Sequence, residues 1–252
     1  MNISEYQQLQ PNLRYDTVKN HPEFDLTFLT PNQQCEWRVQ TLDTKEPDTI
    51  AWLHGMKRGE TLFDVGANMG QYSLIVAKLG LTVHAFEPES QNFALLCRNI
   101  GINNLGECVT AWPLALSDKT GIDYFFVQSL QVGGSCSSYG VEVNFHLQPK
   151  KYAVRQGCAA ITMDEFSDAY GFPTHVKIDV DGLEHKVIAG MAATLCEVKS
   201  VLVELNTALP VHNSIYAIMQ DHGLYPDDKT ADEARRKEGT FAGIGNVIFY
   251  RK

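Results

Sequence analysis

Two short stretches hold residue types whose spacing could do chemistry. In "FDVGANMGQYS", Asp64 stands just before Gly66 and Gly70, and Glu87 follows 21 positions after Gly66 in "HAFEPE". Glycine lets a backbone turn sharply and approach a ligand without a Cβ in the way. A helix opening after such a turn presents free N–H groups and a positive dipole end. An acid about 20 residues further on can accept hydrogen bonds from two ribose hydroxyls. The spacing therefore predicts a ribose-bearing ligand. A dinucleotide loop seats its pyrophosphate with three glycines in G-x-G-x-x-G, and the third is missing here. Asp64 would repel a pyrophosphate and attract the ammonium of a methionine moiety, so the charge logic favours S-adenosylmethionine over an NAD-type dinucleotide. The plain alternative is a tight strand–helix turn with Glu87 a surface acid.

The second stretch is "HVKIDVDGLEHK". Strand alternation would put Lys177, Asp179 and Asp181 on one side. Ligands of open α/β sheets bind beyond the carboxyl ends of the strands. Asp179 is then the leading catalytic candidate, accepting or orienting the proton of an acceptor hydroxyl. Lys177 would neutralise it or form a structural ion pair with it. Asp181 and Glu184 fit a capping box instead, Asp181 capping and Glu184 reaching back. Glu204 ends a later strand and is a candidate acceptor ligand, and His212 follows closely enough to be a candidate base. The histidines at 175, 185, 212 and 222 form no metal-ligand spacing, so no metal is assigned.

These residues need a framework. "TLFDV", "LTVHAFE", "HVKIDVD", "SVLVELN" and "NVIFYRK" read as strands, and "CVTAWPLALS" as a strand interrupted by Pro113. "TIAWLHGM", "QYSLIVAKL", "SQNFALLCRNIGIN", "ITMDEFSDAYGF", "LEHKVIAGMAATL" and "HNSIYAIMQDHG" read as helices. Asp48 and Ser90 are candidate N-caps, and Gly101 is expected just past a helix end. The alternation predicts a parallel sheet covered on both faces. "IDYFFV" and "YAVRQGCAAI" interrupt it as a hairpin-like insertion, with "GGSCSSYG" between them as a loop able to close over an acceptor. Gly133 and Gly134 would be its hinge, and the hydroxyls of Ser135, Ser137 and Ser138 would suit a polyhydroxylated ligand. "PDDKTADEARRKEGT" reads as a polar loop. Residues 1–47 form an N-terminal extension, with a cover or homodimer contact as other uses, and 48–252 the enzymatic domain.

The totals bound the reading. A chain of 252 residues with 44% hydrophobic content can bury a sizeable core. A net charge of −9 argues against a phosphate-backbone partner. The cluster Arg235-Arg236-Lys237 sits among acids and reads as solvated surface. Six cysteines without C-x-x-C spacing, a polar start and no long apolar run predict free thiols in a reducing, cytoplasmic setting, with no membrane partner.

"FDVGANMGQYS", "AFEPE", "ALSDKTG", "ITMDEF" and "VKIDVDGLEHKVIAGM", in that order, resemble the FkbM-type methyltransferases over roughly the last four-fifths of the chain. The resemblance implies a class I, Rossmann-like α/β fold with a seven-stranded, mostly parallel sheet and one antiparallel strand near the C-terminal edge. It implies S-adenosylmethionine-dependent O-methylation of a hydroxyl or carboxyl group on a small molecule or sugar. By that similarity Asp64, Gly66, Asn68 and Gly70 surround the methionine portion, and Tyr72 and Ser73 begin the helix beneath. Glu87, with Pro88 after it, takes the ribose. Leu116, Ser117 and Asp118 fall near the adenine, and Asp179 borders the cofactor. The family block commonly reads KIDVEG, and Asp181 stands at its Glu position. Bases of nucleic acids are disfavoured as acceptors, because no N/D-P-P-Y block is present. A Rossmann oxidoreductase and a non-catalytic protein retaining the fold are the competing readings.

Overall fold

In a computed structural model, residues 14–18, 25–233, 236, 238–239 and 241–252 are described. Seven strands form one sheet in the order β12-β13-β11-β10-β3-β4-β5. These are β3 (Thr61–Val65), β4 (Thr82–Phe86), β5 (Val109–Trp112), β10 (His175–Ile178), β11 (Ser200–Asn206), β12 (Leu224–Pro226) and β13 (Ile244–Arg251). β3, β4 and β5 pair in parallel, as do β10 and β11, while β13 runs antiparallel to β11 and β12. This is the α/β sheet that the alternation predicts. β3 shows why: Leu62, Phe63, Asp64 and Val65 are all buried, as a strand covered on both faces requires.

The chain divides into two compact units, one reaching to Pro113 and including Ser129–Ser135, the other made of Leu114–Gln128 and Cys136–Lys252. In the first, β1 (Tyr15–Val18) pairs with β2 (Leu26–Leu29). Asn99 and Asn103 of helix Ser90–Ile102 hold β2 through Leu29 N and Thr27 N. Helix Gln71–Lys78 buries Ser73, Leu74, Ile75, Val76 and Ala77, a broader face than the single stripe of Tyr72, Ile75, Val76 and Leu79. Two caps differ from expectation. Glu89, rather than Ser90, accepts from the N–H groups of Gln91 and Asn92, and Gly101 lies inside the helix. Helix Pro47–His54 starts on a proline, with Asp48 in its first turn rather than capping it.

In the second unit, the expected hairpin is β7 (Gly121–Val127) antiparallel to β9 (Val154–Ile161), with β6 (Ala115–Leu116) and β8 (Ser138–Tyr139) completing a four-stranded sheet. Pro113 therefore separates two strands of different sheets rather than interrupting one. "LEHKVIAGMAATL" forms two helices, Glu184–Ala189 and Ala192–Glu197, because the backbone at Gly190 lies against the Ser117 carbonyl and accepts from Asp164 N at 3.1 Å. "PDDKTADEARRKEGT" contains a helix, Asp228–Glu233, where a polar loop is expected. All six cysteines are free thiols.

Candidate functional site

The glycine loop follows the carboxyl end of β3. Gly66, Asn68 and Gly70 adopt φ of 82°, 51° and 89°. The N–H groups of Gly66 and Ala67 both donate to the Phe86 carbonyl at 3.0 Å, which fixes the turn against the end of β4. A Cβ on Gly70 would stand 2.5 Å from Leu96 Cδ1. The glycine at 70 is therefore favoured by its positive φ, before any ligand is considered.

Glu87 is buried at the end of β4. Its Oε2 accepts from Asn68 N and its Oε1 from Glu89 N, both at 2.8 Å. A carboxylate offers about four lone-pair positions, so these two bonds are compatible with a ribose diol. The carboxylate is thus aimed by the loop it serves, and Pro88 continues the chain beside it. Asp64 is fully buried in β3, and its Oδ2 accepts the Ser73 hydroxyl at 2.6 Å, tying strand to helix. Tyr72 donates its hydroxyl to Glu46.

The "GGSC" segment lies against this loop. Asn68 Nδ2 and Asn92 Nδ2 both donate to the Gly134 carbonyl, Asn92 Oδ1 accepts from Gly133 N, and Arg38 Nε donates to the Gly133 carbonyl. Gly133 and Gly134 are thereby pinned to the glycine loop, where a free hinge is expected. Further on, Ser138 donates to the Val141 carbonyl and Ser137 Oγ accepts from Gln128 N, so both hydroxyls serve the chain itself. Asn92 and Arg38 carry no sequence signal of this role, because the contact joins residues about 40 and 95 positions apart.

In the second unit, Ser117 N donates to the Ile161 carbonyl, Ser117 Oγ donates to Asp118, and Lys186 lies 3.9 Å from Asp118; Leu116 is buried in β6. Asp179 follows the last residue of β10. Lys177, only 1% exposed, reaches Asp179 at 3.3 Å, while the Asp179 side chain is 30% exposed. The alternation ends there. Asp181 adopts φ 55° in the turn, so it does not continue the strand. Its Oδ2 accepts from Cys136 N at 2.7 Å, and Leu183 occupies the N-cap of helix Glu184–Ala189. The capping box is half formed: Glu184 reaches back to Val180 N and Gly182 N, and Asp181 anchors the insertion instead.

Asp181, Glu184, Glu204, Asn206 and His212 line one cleft of about 240 Å³, solvent mouth included, with Phe145 and Phe241. Burial pushes Glu204 well above the ordinary carboxyl range, and repulsion from Asp179, Asp181 and Glu184 adds to it. Arg236 opposes this from 3.6 Å and stacks over Phe241. Arg236 is thus engaged rather than the solvated cation expected; Arg235 and Lys237 lie outside the described residues. Burial holds His212 below its ordinary value. Its Nδ1 accepts from Asn206 N, which places the proton on Nε2, 3.0 Å from the Gly182 carbonyl. Both ring nitrogens meet backbone, and Nε2 also lies 3.3 Å from the buried Glu184 Oε2, an arrangement that orders the cleft. Of the other histidines, His175 bonds Ser200 and His222 bonds the Ile218 carbonyl.

Burial pushes Glu184 up to about 8 from 4.5, against the pull of its backbone N–H bonds. The folded chain therefore favours the neutral carboxyl, and that contribution is full below the unfolded value and lost as pH rises through the folded one. Glu184→Gln cannot ionise. Its stability relative to the parent should rise by as much as about 5 kcal/mol between pH 4.5 and 8 in paired thermal melts, and a flat difference would contradict the assignment.

The order of the seven-stranded sheet, parallel except at β13, is that of a class I methyltransferase. Residues 64–224 match the methyltransferase FkbM domain, and the chain belongs to that family. It is an S-adenosylmethionine-dependent methyltransferase, which decides against the dinucleotide oxidoreductase reading. It is 26% identical to the hexuronic acid methyltransferase AglP of Haloferax volcanii, over 69% of this chain and 67% of the relative. It is 24% identical to the 31-O-demethyl-FK506 methyltransferase FkbM of Streptomyces tacrolimicus, over 68% and 75%. The fold is similar to the magnesium protoporphyrin IX methyltransferase of Synechocystis with bound S-adenosylmethionine, with a TM-score of 0.50, 11% identity, and 100% and 93% of the two chains covered. Among the described residues no helix is long and apolar enough to cross a membrane.

Proposed function

We propose that the chain transfers the methyl group of S-adenosylmethionine to a hydroxyl oxygen of a sugar or similar hydroxylated small molecule. The observation that carries this reading is the partly exposed Asp179 carboxylate at the carboxyl end of β10, backed by buried Lys177 and followed by the acid-lined cleft. When bound, S-adenosylmethionine supplies an activated methyl on a positive sulfur, so the protein mainly aligns the oxygen for in-line displacement. Gly66, Asn68, Gly70, Tyr72, Glu87 and Pro88 would hold the methionine and ribose portions, with the fully buried Asp64–Ser73 pair bracing the loop from beneath. Leu116, Ser117 and Asp118 would hold the adenine. Asp179 accepts the hydroxyl proton, with the Lys177 ammonium held 3.3 Å from its carboxylate. Glu204 binds the acceptor, and His212 positions the turn beneath it. A carboxyl acceptor would need no base, and Asp179 would then have no partner in the reaction. The printed activities of the two curated relatives, on a hexuronic acid and on a demethylated oxygen, support an oxygen acceptor. The net charge of −9 supports a small molecule over a nucleic acid, and a cytoplasmic site of action goes with it. Residues 48–252 are taken as the methyltransferase domain. Labelled methyl transfer to a panel of sugars and alicyclic alcohols tests the reading; label found only on amines would refute it.

A further inference from the structure

Helix Gln33–Gln40 lies in the stretch that reads as an extension, yet it is tied to the glycine loop. Gln71, the first residue of the helix after Gly70, is buried and donates from Nε2 to the Arg38 carbonyl at 2.7 Å. Asn32, Cys35 and Arg38 recur every third residue and so share one face. All three reach the segment that covers the loop. Asn32 Nδ2 and Cys35 Sγ meet the Val132 carbonyl at 2.8 and 3.4 Å, and Arg38 Nε donates to the Gly133 carbonyl at 2.8 Å. Asn68 of the glycine loop holds the next residue, Gly134, at 2.8 Å. Helix, segment and loop belong to one compact unit. Arg38 is thereby fixed through its carbonyl and its Nε. Among the described residues, its Nη groups make no hydrogen bond or ion pair.

The cofactor has the matching need. The methionine portion of S-adenosylmethionine ends in a carboxylate beside its ammonium. Residues 64–73, residues 86–92 and the Ser129–Ser135 segment contain no lysine or arginine, and they carry Asp64, Glu87 and Glu89. The elements around the loop thus supply acids and no cation. In the described part of 14–46, Arg14 pairs with Glu36, and Lys45 pairs with Glu46 at 2.8 Å. Arg38 is the cation left over, and the planar fork of a guanidinium suits both oxygens of a carboxylate.

We infer that Arg38 is a cofactor-binding residue whose Nη groups pair with the carboxylate of the methionine portion, while Nε anchors it to the Gly133 segment. Helix Gln33–Gln40 is then part of the S-adenosylmethionine site, although it precedes both residue 48 and the 64–224 family match. The inference concerns the cofactor alone and stands apart from the acceptor proposed above.

The test is isothermal titration of the full chain with S-adenosylmethionine and with its decarboxylated form, which keeps the ammonium and the sulfonium and lacks only the carboxylate. The parent should bind the decarboxylated ligand at least about tenfold more weakly, the effect of losing charge-assisted hydrogen bonds. Arg38→Gln removes the charge and keeps an N–H able to donate to the Gly133 carbonyl. It should weaken S-adenosylmethionine at least about tenfold and leave the decarboxylated ligand within about twofold, so the ratio of the two affinities collapses. Arg38→Lys keeps the charge without the fork and should fall between. A residue that only braced the Gly133 segment would weaken both ligands together and preserve the ratio. That result, or equal binding of the two ligands to the parent, would overturn the inference. Thermal melts check that each variant is folded; if Arg38→Gln is not, Arg38→Lys and the parent carry the same comparison.

Discussion

Replacing Asp179 by Asn is expected to lower kcat about 10³-fold, within the range typical for loss of a general base, while the Kd for S-adenosylmethionine stays within about twofold. Asp179 is the first residue beyond β10, it remains partly exposed, and Lys177 behind it is almost wholly buried. A neutral amide at 179 cannot take the proton of the attacking hydroxyl, and it also leaves the Lys177 ammonium with less compensation. Removing one partner of a buried pair is costly, so the melting temperature must be measured with the rate. Asp179→Glu separates the effects: it keeps the charge and should recover part of kcat if proton transfer is the role. Full activity in Asp179→Asn would remove Asp179 from the mechanism.

Glu87→Ala is expected to raise the Kd for S-adenosylmethionine about 10²-fold, the effect of losing two hydrogen bonds to a charged acceptor. The variant loses more than the ribose contact, because Glu87 also receives the N–H groups of Asn68 and Glu89. Glu87→Gln retains one acceptor oxygen and should fall between the parent and the alanine variant. Isothermal titration reads both, and an unchanged Kd in Glu87→Ala would refute the ribose role.

The glycine loop and the sheet were legible because the signals are local. Apolar runs ending in Asp64, Glu87 and Asp179 mark strand ends, and helix patterns follow each. Asp181 misleads for a physical reason. Alternation holds only while the chain is extended, and the chain turns into left-handed conformation at Asp181 and Gly182. A D-x-x-E spacing cannot tell whether Asp181 caps a helix or anchors Cys136, 45 positions earlier. The cleft walls were illegible for the same reason. Phe145 lies in an insertion without periodicity, and Phe241 and Arg236 come from a stretch that reads as a polar loop. Only long-range contacts bring them to Glu204. Gly70 shows the converse, since a glycine that reads as making room for a ligand is already favoured by its φ of 89°.

The central claim is that the methyl group passes to a hydroxyl oxygen. Incubating the chain with carbon-13 methyl-labelled S-adenosylmethionine and a neutral hydroxylated acceptor, then following the labelled carbon by heteronuclear NMR, tests it most directly. A labelled methyl ether should form with the parent chain and be lost in Asp179→Asn. A labelled methyl ester or N-methyl product would contradict it, as would ether formation that does not depend on Asp179.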